Sequence, residues 1–383
     1  MDTVEAGLRS YLDGLLAARS LPGYALAASH PYGTEVELVG GYRDIDTGLP
    51  VTGDTQFAVF SITKVVTALA ALRMVARGEL HLETPVADLL PGWTDRGASS
   101  PILLRHLLSH TAGLTYGSRP TPVQPDYLRA GFLRGSPDGL TGAALYRTFS
   151  NLPRLFAPGH AWSYSLASDV VGWVLSEVSG IPLGDVLRRE VFRPLGMTRS
   201  GLISDPGERV DAALVYRPWD TNGGGTWQVA ETAMRDWGRP AAAPSGGGGL
   251  LTTIRDLHRL TAAIAVRDGD LLPADVWHAG TTNHVPCGCD LATGQRYSPL
   301  PGRASAGVGY GLGMAVVLDG AVCGLPGSDG ELGWEGSTGG FLFAHPASGR
   351  HLAFLTNVFP AHHLTCWFDL RRIMYRAGPV GYS

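Results

Sequence analysis

Phe60-Ser61-Ile62-Thr63-Lys64 sets a primary hydroxyl and an ammonium three residues apart. The segment Ser61–Arg77 is rich in Ala, Leu and Val and is followed by Gly78, so it is predicted to be one helix. Residues i and i+3 share a helix face, which brings Ser61 and Lys64 within reach of each other. Lys64 is also the only lysine: of 30 basic residues the other 29 are arginine. An ammonium can lose its proton when desolvated and a guanidinium effectively cannot. A serine hydroxyl is a weak nucleophile until a nearby base takes its proton. A lysine at a helix start, opposed by the helix dipole, can be that base or shift a neighbour's pKa. The spacing alone is thin ground, since a lone lysine falls three residues after one of 24 serines in 383 positions about 6% of the time.

The rest of the chain narrows the field. Its 383 residues allow two or three domains, or one large enzyme with an inserted lobe. An apolar content of 44% with 17% charged residues describes a folded chain with a sizeable core. A net charge of −4 excludes the broad basic footprint of a nucleic-acid binder. No stretch approaches 18 consecutive apolar residues, so no membrane span is expected. Met1-Asp2-Thr3-Val4-Glu5 lacks the basic and apolar regions of a signal peptide, and the expected location is cytoplasmic. Leu8, Leu12, Leu15 and Leu16 instead give the N-terminal segment the stripe of an amphipathic helix. Four cysteines are too few for a disulfide framework.

Tyr24–Ser29 and Glu35–Gly41 read as two strands joined by a turn around Pro31-Tyr32-Gly33. Residues 80–240 are mostly helical segments between Pro- and Gly-rich loops, with Val170–Val178 and Leu183–Phe192 the clearest helices. Residues 238–249 are a low-complexity run, either a linker or a tight loop, followed by helical periodicity over Leu250–Val266. Strands are predicted at Tyr310–Leu318, Gly339–His345 and His351–Asn357, and a last amphipathic helix at Leu364–Arg376. Strands at both ends with helices between them predict an α/β (α+β) fold. Its antiparallel sheet would be built from the N- and C-terminal segments and flanked by helices, with residues 1–78 and 241–383 forming one domain and 79–240 an inserted, mainly helical lobe.

Downstream of Ser61 and Lys64, Trp162-Ser163-Tyr164-Ser165-Leu166 follows the loop Ala157-Pro158-Gly159, and Gly333-Trp334-Glu335-Gly336-Ser337-Thr338-Gly339 precedes a predicted strand. With these the sequence resembles the serine β-lactamase and penicillin-binding-protein superfamily, whose S-x-x-K, Y-x-N and K-T-G elements occur in this order. It looks most like class C β-lactamases and family VIII carboxylesterases. Leu107–Leu114, Pro194-Leu195-Gly196-Met197 and Gly248–Thr253 also fall in family order, so the resemblance covers roughly residues 5 to 375.

That resemblance implies a β-lactamase-like fold and acyl transfer through a covalent intermediate on Ser61. Lys64 and Tyr164 would share the proton transfers, and the backbone N–H groups of Ser61 and Ser337 would form the oxyanion hole. The departures from the family pattern also matter. Leu166 stands where Y-x-N has its amide, and Trp334 stands where K-T-G has its cation. Tryptophan cannot pair with a lactam carboxylate but can wall an apolar pocket, so both changes turn Trp334, Gly336 and Leu166 from lactam contacts into lining for a neutral ester or acyl substrate. The W-x-G form is also that of the family's esterase branch.

Tyr216, Trp219, Trp227 and Trp237 are spaced too irregularly for one helix face; they read either as core or as walls of an acyl pocket. Gly307–Gly313 imitates a dinucleotide loop but precedes no helix, so a Gly-rich strand is the reading. Cys287-Gly288-Cys289, near His284 and Asp290, has no second cysteine pair at zinc-site spacing and reads as a loop with incidental thiols. His362 and His363 read as a cap on the last helix. No G-x-S-x-G elbow is present. The expected protein is therefore a serine carboxylesterase for a small-molecule ester or acyl substrate, without metal or cofactor. An acyltransferase using the same Ser–Lys–Tyr site is the alternative. A β-lactamase or D-alanyl carboxypeptidase, or a binding module on a dead fold, fits less well. Lys64→Arg is expected to abolish esterase turnover, measured with 4-nitrophenyl acetate, while far-UV circular dichroism stays that of the parent; substantial turnover would mean that only the charge is needed.

Overall fold

Tyr24, Leu26 and Ala28 alternate with Ala25 and Ala27, and both sets are apolar, so the strand they form has to be covered on two faces. In the computed structural model of the protein that strand, β1 (Gly23–His30), lies inside an eight-stranded antiparallel sheet. The structure describes residues 3–30, 34–95, 100–133, 135–204, 211–218, 226–234, 243–297, 305–361 and 363–376. The other strands are β2 (Thr34–Asp44), β3 (Leu49–Pro50), β4 (Val308–Tyr310), β5 (Ala315–Val317), β6 (Leu332–Glu335), β7 (Phe341–His345) and β8 (Arg350–Thr356). Their order is β3-β2-β1-β8-β7-β6-β5-β4, with Tyr24 opposite Thr356 and Trp334 opposite Leu342. The N- and C-terminal segments meet at the β1–β8 seam, as the pattern of strands predicts. The turn expected at residues 31–33 lies outside the described residues.

One face is covered by α1 (Thr3–Ala17) and the C-terminal helix Cys366–Arg376. Leu8, Leu12, Leu370 and Met374 are buried there beside Leu26, Phe343 and Phe354. Arg371 of the C-terminal helix pairs with Glu331 at the start of β6, both buried, with the guanidinium 4.4 Å from the Trp367 ring centre.

The opposite face meets Ile254–Val266 and the rest of the core. Helix α2 (Thr63–Ala76) is buried on nearly all sides, consistent with its Ala, Val and Leu content. It packs on α3 (Ala167–Ser179), and one apolar cluster continues from Ala27 and Ala353 of the sheet through α2 into the helical segment. Among the described residues no single helix is long and apolar enough to cross a membrane.

Three local expectations need correction. Ser61 does not open the α-helix: Phe60–Ile62 is a 3-10 turn, with Phe60 at φ +44°, and the α-helix starts at Thr63. Leu250–Thr252 is a strand between Phe57–Ala58 and Gly201–Leu202, and only Ile254–Val266 is helical, with the Thr253 side chain accepting from the Asp256 amide. The strand predicted at Tyr310–Leu318 is broken. Gly311–Met314 passes between β4 and β5, with Gly313 at φ +101° and pressed so closely on α2 that a Cβ there would lie 2.1 Å from that of Ala68.

Burial disfavours the charged form of several histidines, and two of them are pushed down to a defined range. His106 and His258 are each pushed down to about 4, mainly by desolvation and secondarily by Arg105 and His351 respectively. The unfolded chain, with imidazoles at about 6.5, binds those protons first, so stability is full above about pH 6.5 and falls as pH drops towards 4. The melting temperature is expected to decline between pH 6.5 and 5, and His106→Gln and His258→Gln should each flatten that decline. An unchanged slope in both variants would contradict the assignment.

Candidate active site

The site begins with the turn that carries Ser61. Strand Phe57–Ala58 runs into Val59 and Phe60, whose positive φ is a strained conformation costing on the order of 1–3 kcal/mol and common at functional positions. The Phe60 ring is held by stacking on Phe359 at 5.6 Å. One turn later Lys64, 1% exposed, returns its ammonium to 3.2 Å from Ser61 Oγ.

A bare buried ammonium would cost several kcal/mol. Lys64 Nζ meets this by donating to the Gly247 carbonyl at 2.6 Å and by lying 4.8 Å from the Tyr164 ring centre and 5.7 Å from that of Tyr116. The Gly247 carbonyl is itself held in place. Thr67 Oγ1 of α2 donates to Gly246 O at 2.7 Å, and the Gly247 amide and the Ser245 hydroxyl both donate to Asp169 Oδ1 on α3. Asp169 is fully enclosed; burial raises its pKa, and the charge of Lys64 works the other way. A Cβ on Gly246 would lie 2.6 Å from Ser168 O, and one on Gly247 2.6 Å from Asp169 Oδ2. The end of the low-complexity run is therefore a tight loop that only glycine could thread between α2 and α3.

β6 supplies the opposite wall. Trp334 is 1% exposed, its indole N–H donates to Tyr164 Oη at 3.4 Å, and its ring lies 5.4 Å from Tyr164 and 5.0 Å from Tyr310. Gly336 touches the turn of Ser61 so closely that a Cβ would lie 2.2 Å from Val59 O, and Thr338 Oγ1 donates to Ala58 O at 3.0 Å. These contacts carry Ser337 to the turn of Ser61, with its own carbonyl accepting from Ala361 N. The amide of Ser61 lies in the first turn of a helical segment, where amides have no partner within the helix.

Ser61, Lys64, Tyr164, Trp334, Gly336 and Ser337 thus converge, although Trp334 comes as a packed ring against Tyr164. Leu166 is 1% exposed, precedes α3 and belongs to the same apolar cluster as Tyr164 and Trp334. Tyr216 and Trp227 are held by contacts of their own. The Tyr216 hydroxyl accepts from the Ile45 amide at 2.8 Å, and Trp227 packs against the apolar cluster under α1 and the C-terminal helix. Trp219 and Trp237, and His362, lie outside the described residues. Among the described residues no three His, Cys, Asp or Glu converge as a metal site would require; His284 Nε2 is within 2.8 Å of the Ala279 carbonyl.

Four neighbours escaped the sequence reading: His110, Tyr116, Trp162 and Tyr310. The His110 ring, at φ +57°, lies 5.0 Å from Tyr164, 5.3 Å from Tyr310 and 6.0 Å from Trp162, with Nδ1 3.2 Å from Ser165 Oγ. Burial, then the charges of Lys64 and Arg119, push its pKa well below the ordinary imidazole range and hold it neutral. Leu107–Leu114 and Gly307–Gly313 drew notice as segments, but nothing in either marks a residue as facing Tyr164.

The family model described as Beta-lactamase matches residues 8–369. The chain belongs to the beta-lactamase family. Within that family it is 31% identical to esterase EstB of Burkholderia gladioli over 376 residues, covering 93% of this chain and 91% of the esterase. The solved structure of EstCE1, described as a hydrolase with promiscuous acyltransferase activity, superposes with a TM-score of 0.82 at 26% identity, covering 97% of this chain and 98% of EstCE1. Simvastatin synthase LovD from Aspergillus terreus shares the fold, with a TM-score of 0.79 at 21% identity over 98% of this chain and 97% of that one. The architecture is therefore the beta-lactamase-like fold expected from the motifs.

Because Gly336 faces a backbone oxygen rather than a flexible side chain, Gly336→Ala has to push β6 away from the turn of Ser61. It is expected to lower kcat on 4-nitrophenyl acetate at least 100-fold and to reduce the melting temperature by several degrees, the loss that a displacement of about 1 Å at a site can cause. Parent-like kinetics would mean that the close approach is dispensable.

Proposed function

We propose that the protein is a serine esterase that cleaves carboxylic esters through an acyl-enzyme on Ser61. The observation that carries this reading is the buried Lys64 ammonium 3.2 Å from Ser61 Oγ, with the Tyr164 ring against it. With the Lys64–Tyr164 pair holding one proton fewer than an ammonium and a phenol together, Ser61 Oγ attacks the ester carbonyl while the pair takes the hydroxyl proton and passes it to the departing alcohol. We assign the amides of Ser61 and Ser337 to the developing oxyanion; donors of this kind contribute about 3–4 kcal/mol each. Water then attacks the acyl-enzyme, again assisted by the pair, and frees the acid. Trp334 supports ester over lactam: its wall offers a ring where a lactam carboxylate would need a cation. Similarity to EstB supports the same choice.

Transfer of the acyl group to an alcohol or amine is the second reading, favoured by the similarity to EstCE1, whose description includes acyltransferase activity. The chemistry up to the acyl-enzyme is common to both. What differs is whether the second nucleophile is water.

The test is a series of 4-nitrophenyl acyl esters, with and without alcohol or amine acceptors, while the mass of intact protein reports acylation. Hydrolysis independent of acceptor supports the esterase; an acyl-enzyme that clears only with acceptor supports the transferase. Ser61→Ala is expected to lose acylation and turnover by at least 1,000-fold. Ser337→Ala, which keeps the amide, should stay within a few-fold of the parent. No acylation with any ester, and no difference between Ser61→Ala and the parent, would exclude both readings.

A further inference from the structure

Arg119 closes a turn whose first residue is Tyr116, its amide donating to the Tyr116 carbonyl at 3.1 Å. The turn is tied down by Gly117 N–H to Phe132 O and Ser118 N–H to Leu133 O, each at 3.0 Å, and by Gln124 Nε2 donating to Gly117 O at 3.1 Å. The same turn holds the Tyr116 ring 5.7 Å from the Tyr164 ring and 5.7 Å from Lys64 Nζ, so it is a fixed wall of the site.

Arginines elsewhere in the fold face carboxylates: Arg77 meets Glu190, Arg154 meets Asp95, Arg255 meets Glu37 and Asp54, and Arg371 meets Glu331. Arg119 faces none among the described residues. Its side chain is half-buried, and Nη2 is sealed from solvent without a hydrogen-bond partner. Burial accordingly lowers its pKa, while Tyr164 and Tyr116 are its other electrostatic neighbours. A half-buried guanidinium with no anion is an incomplete pair. Lys64 is committed to Ser61 and Gly247, and the Trp334 wall carries no cation, so an anion entering this site would find its partner in Arg119.

We propose that Arg119 is a specificity-determining residue that receives a carboxylate borne by the ester substrate away from its scissile carbonyl. The proposal rests on the esterase reading and corrects the expectation of a neutral substrate: the cation absent from β6 is supplied from the Tyr116 turn. A guanidinium suits a carboxylate better than an ammonium would, because its planar fork can bind both oxygens.

Two matched substrate pairs test it. The first carries the anion on the acyl side, 4-nitrophenyl hydrogen adipate against 4-nitrophenyl hexanoate. The second carries it on the alcohol side, 4-acetoxyphenylacetate against 4-tolyl acetate. In the parent, kcat/KM for the anionic member of at least one pair is expected to exceed that of its neutral partner by about 10- to 100-fold, the range of a charge-assisted hydrogen bond. Arg119→Gln should erase that preference mainly through KM and leave the neutral esters within about twofold, with Arg119→Lys recovering part of it. No anionic preference in either pair would overturn the proposal, as would one that survives in Arg119→Gln. Equal loss on charged and neutral esters with a displaced pH profile would also overturn it, by assigning Arg119 to Tyr164 instead. Failure of the parent to be acylated by any of the four esters would instead count against the esterase reading itself, so the two failures are distinct.

Discussion

The site depends on keeping one ammonium dry. Lys64 is buried under two tyrosine rings and satisfied by the Gly247 carbonyl and the Ser61 hydroxyl. A buried cation of this kind has to be met by polar partners and ring faces, and here each of them comes from a different segment of the chain. Everything around it serves that enclosure. α2 is buried along most of its length, Gly246 and Gly247 pass where a Cβ would clash, and Asp169 accepts from the N–H of Gly247, the residue whose carbonyl faces Lys64.

A second constraint joins the sheet to the turn of Ser61. Gly336 has no side chain because Val59 O occupies the space, and Thr338 ties the same strand to Ala58. β6 is anchored at its other end by the buried Arg371–Glu331 pair. The Ser61 turn and the Ser337 amide are thus set against each other by backbone contact, which moves far less than side-chain contact would. This is the kind of rigidity that stabilising a transient oxyanion calls for.

The aromatic cluster around Tyr164 shows how far single-sequence reading reaches. Ser61, Lys64, Tyr164 and Trp334 were legible because each sits in a short motif with family spacing. His110, Tyr116, Trp162 and Tyr310 were not: their common feature is a ring contact between segments up to 200 positions apart, and ring contacts leave no periodicity in the chain. For Tyr216, left open between core and pocket wall, the structure supplies what the sequence could not: a partner for its buried hydroxyl in the Ile45 amide.

By itself the sequence determined the sheet made from both chain ends, the buried helix behind Ser61 and the choice of a titratable ammonium. These follow from apolar periodicity and from the single departure from arginine, both local properties. Only the tertiary structure decided that Phe60 turns with a positive φ, that Leu250–Thr252 leaves the helix to become a strand, and that Gly311–Met314 breaks its strand over α2. It also decided that Arg119, at the end of the Tyr116 turn, faces no carboxylate among the described residues. Each is an outcome of close packing between distant segments, where a few tenths of an ångström and the presence or absence of one partner outweigh local preference.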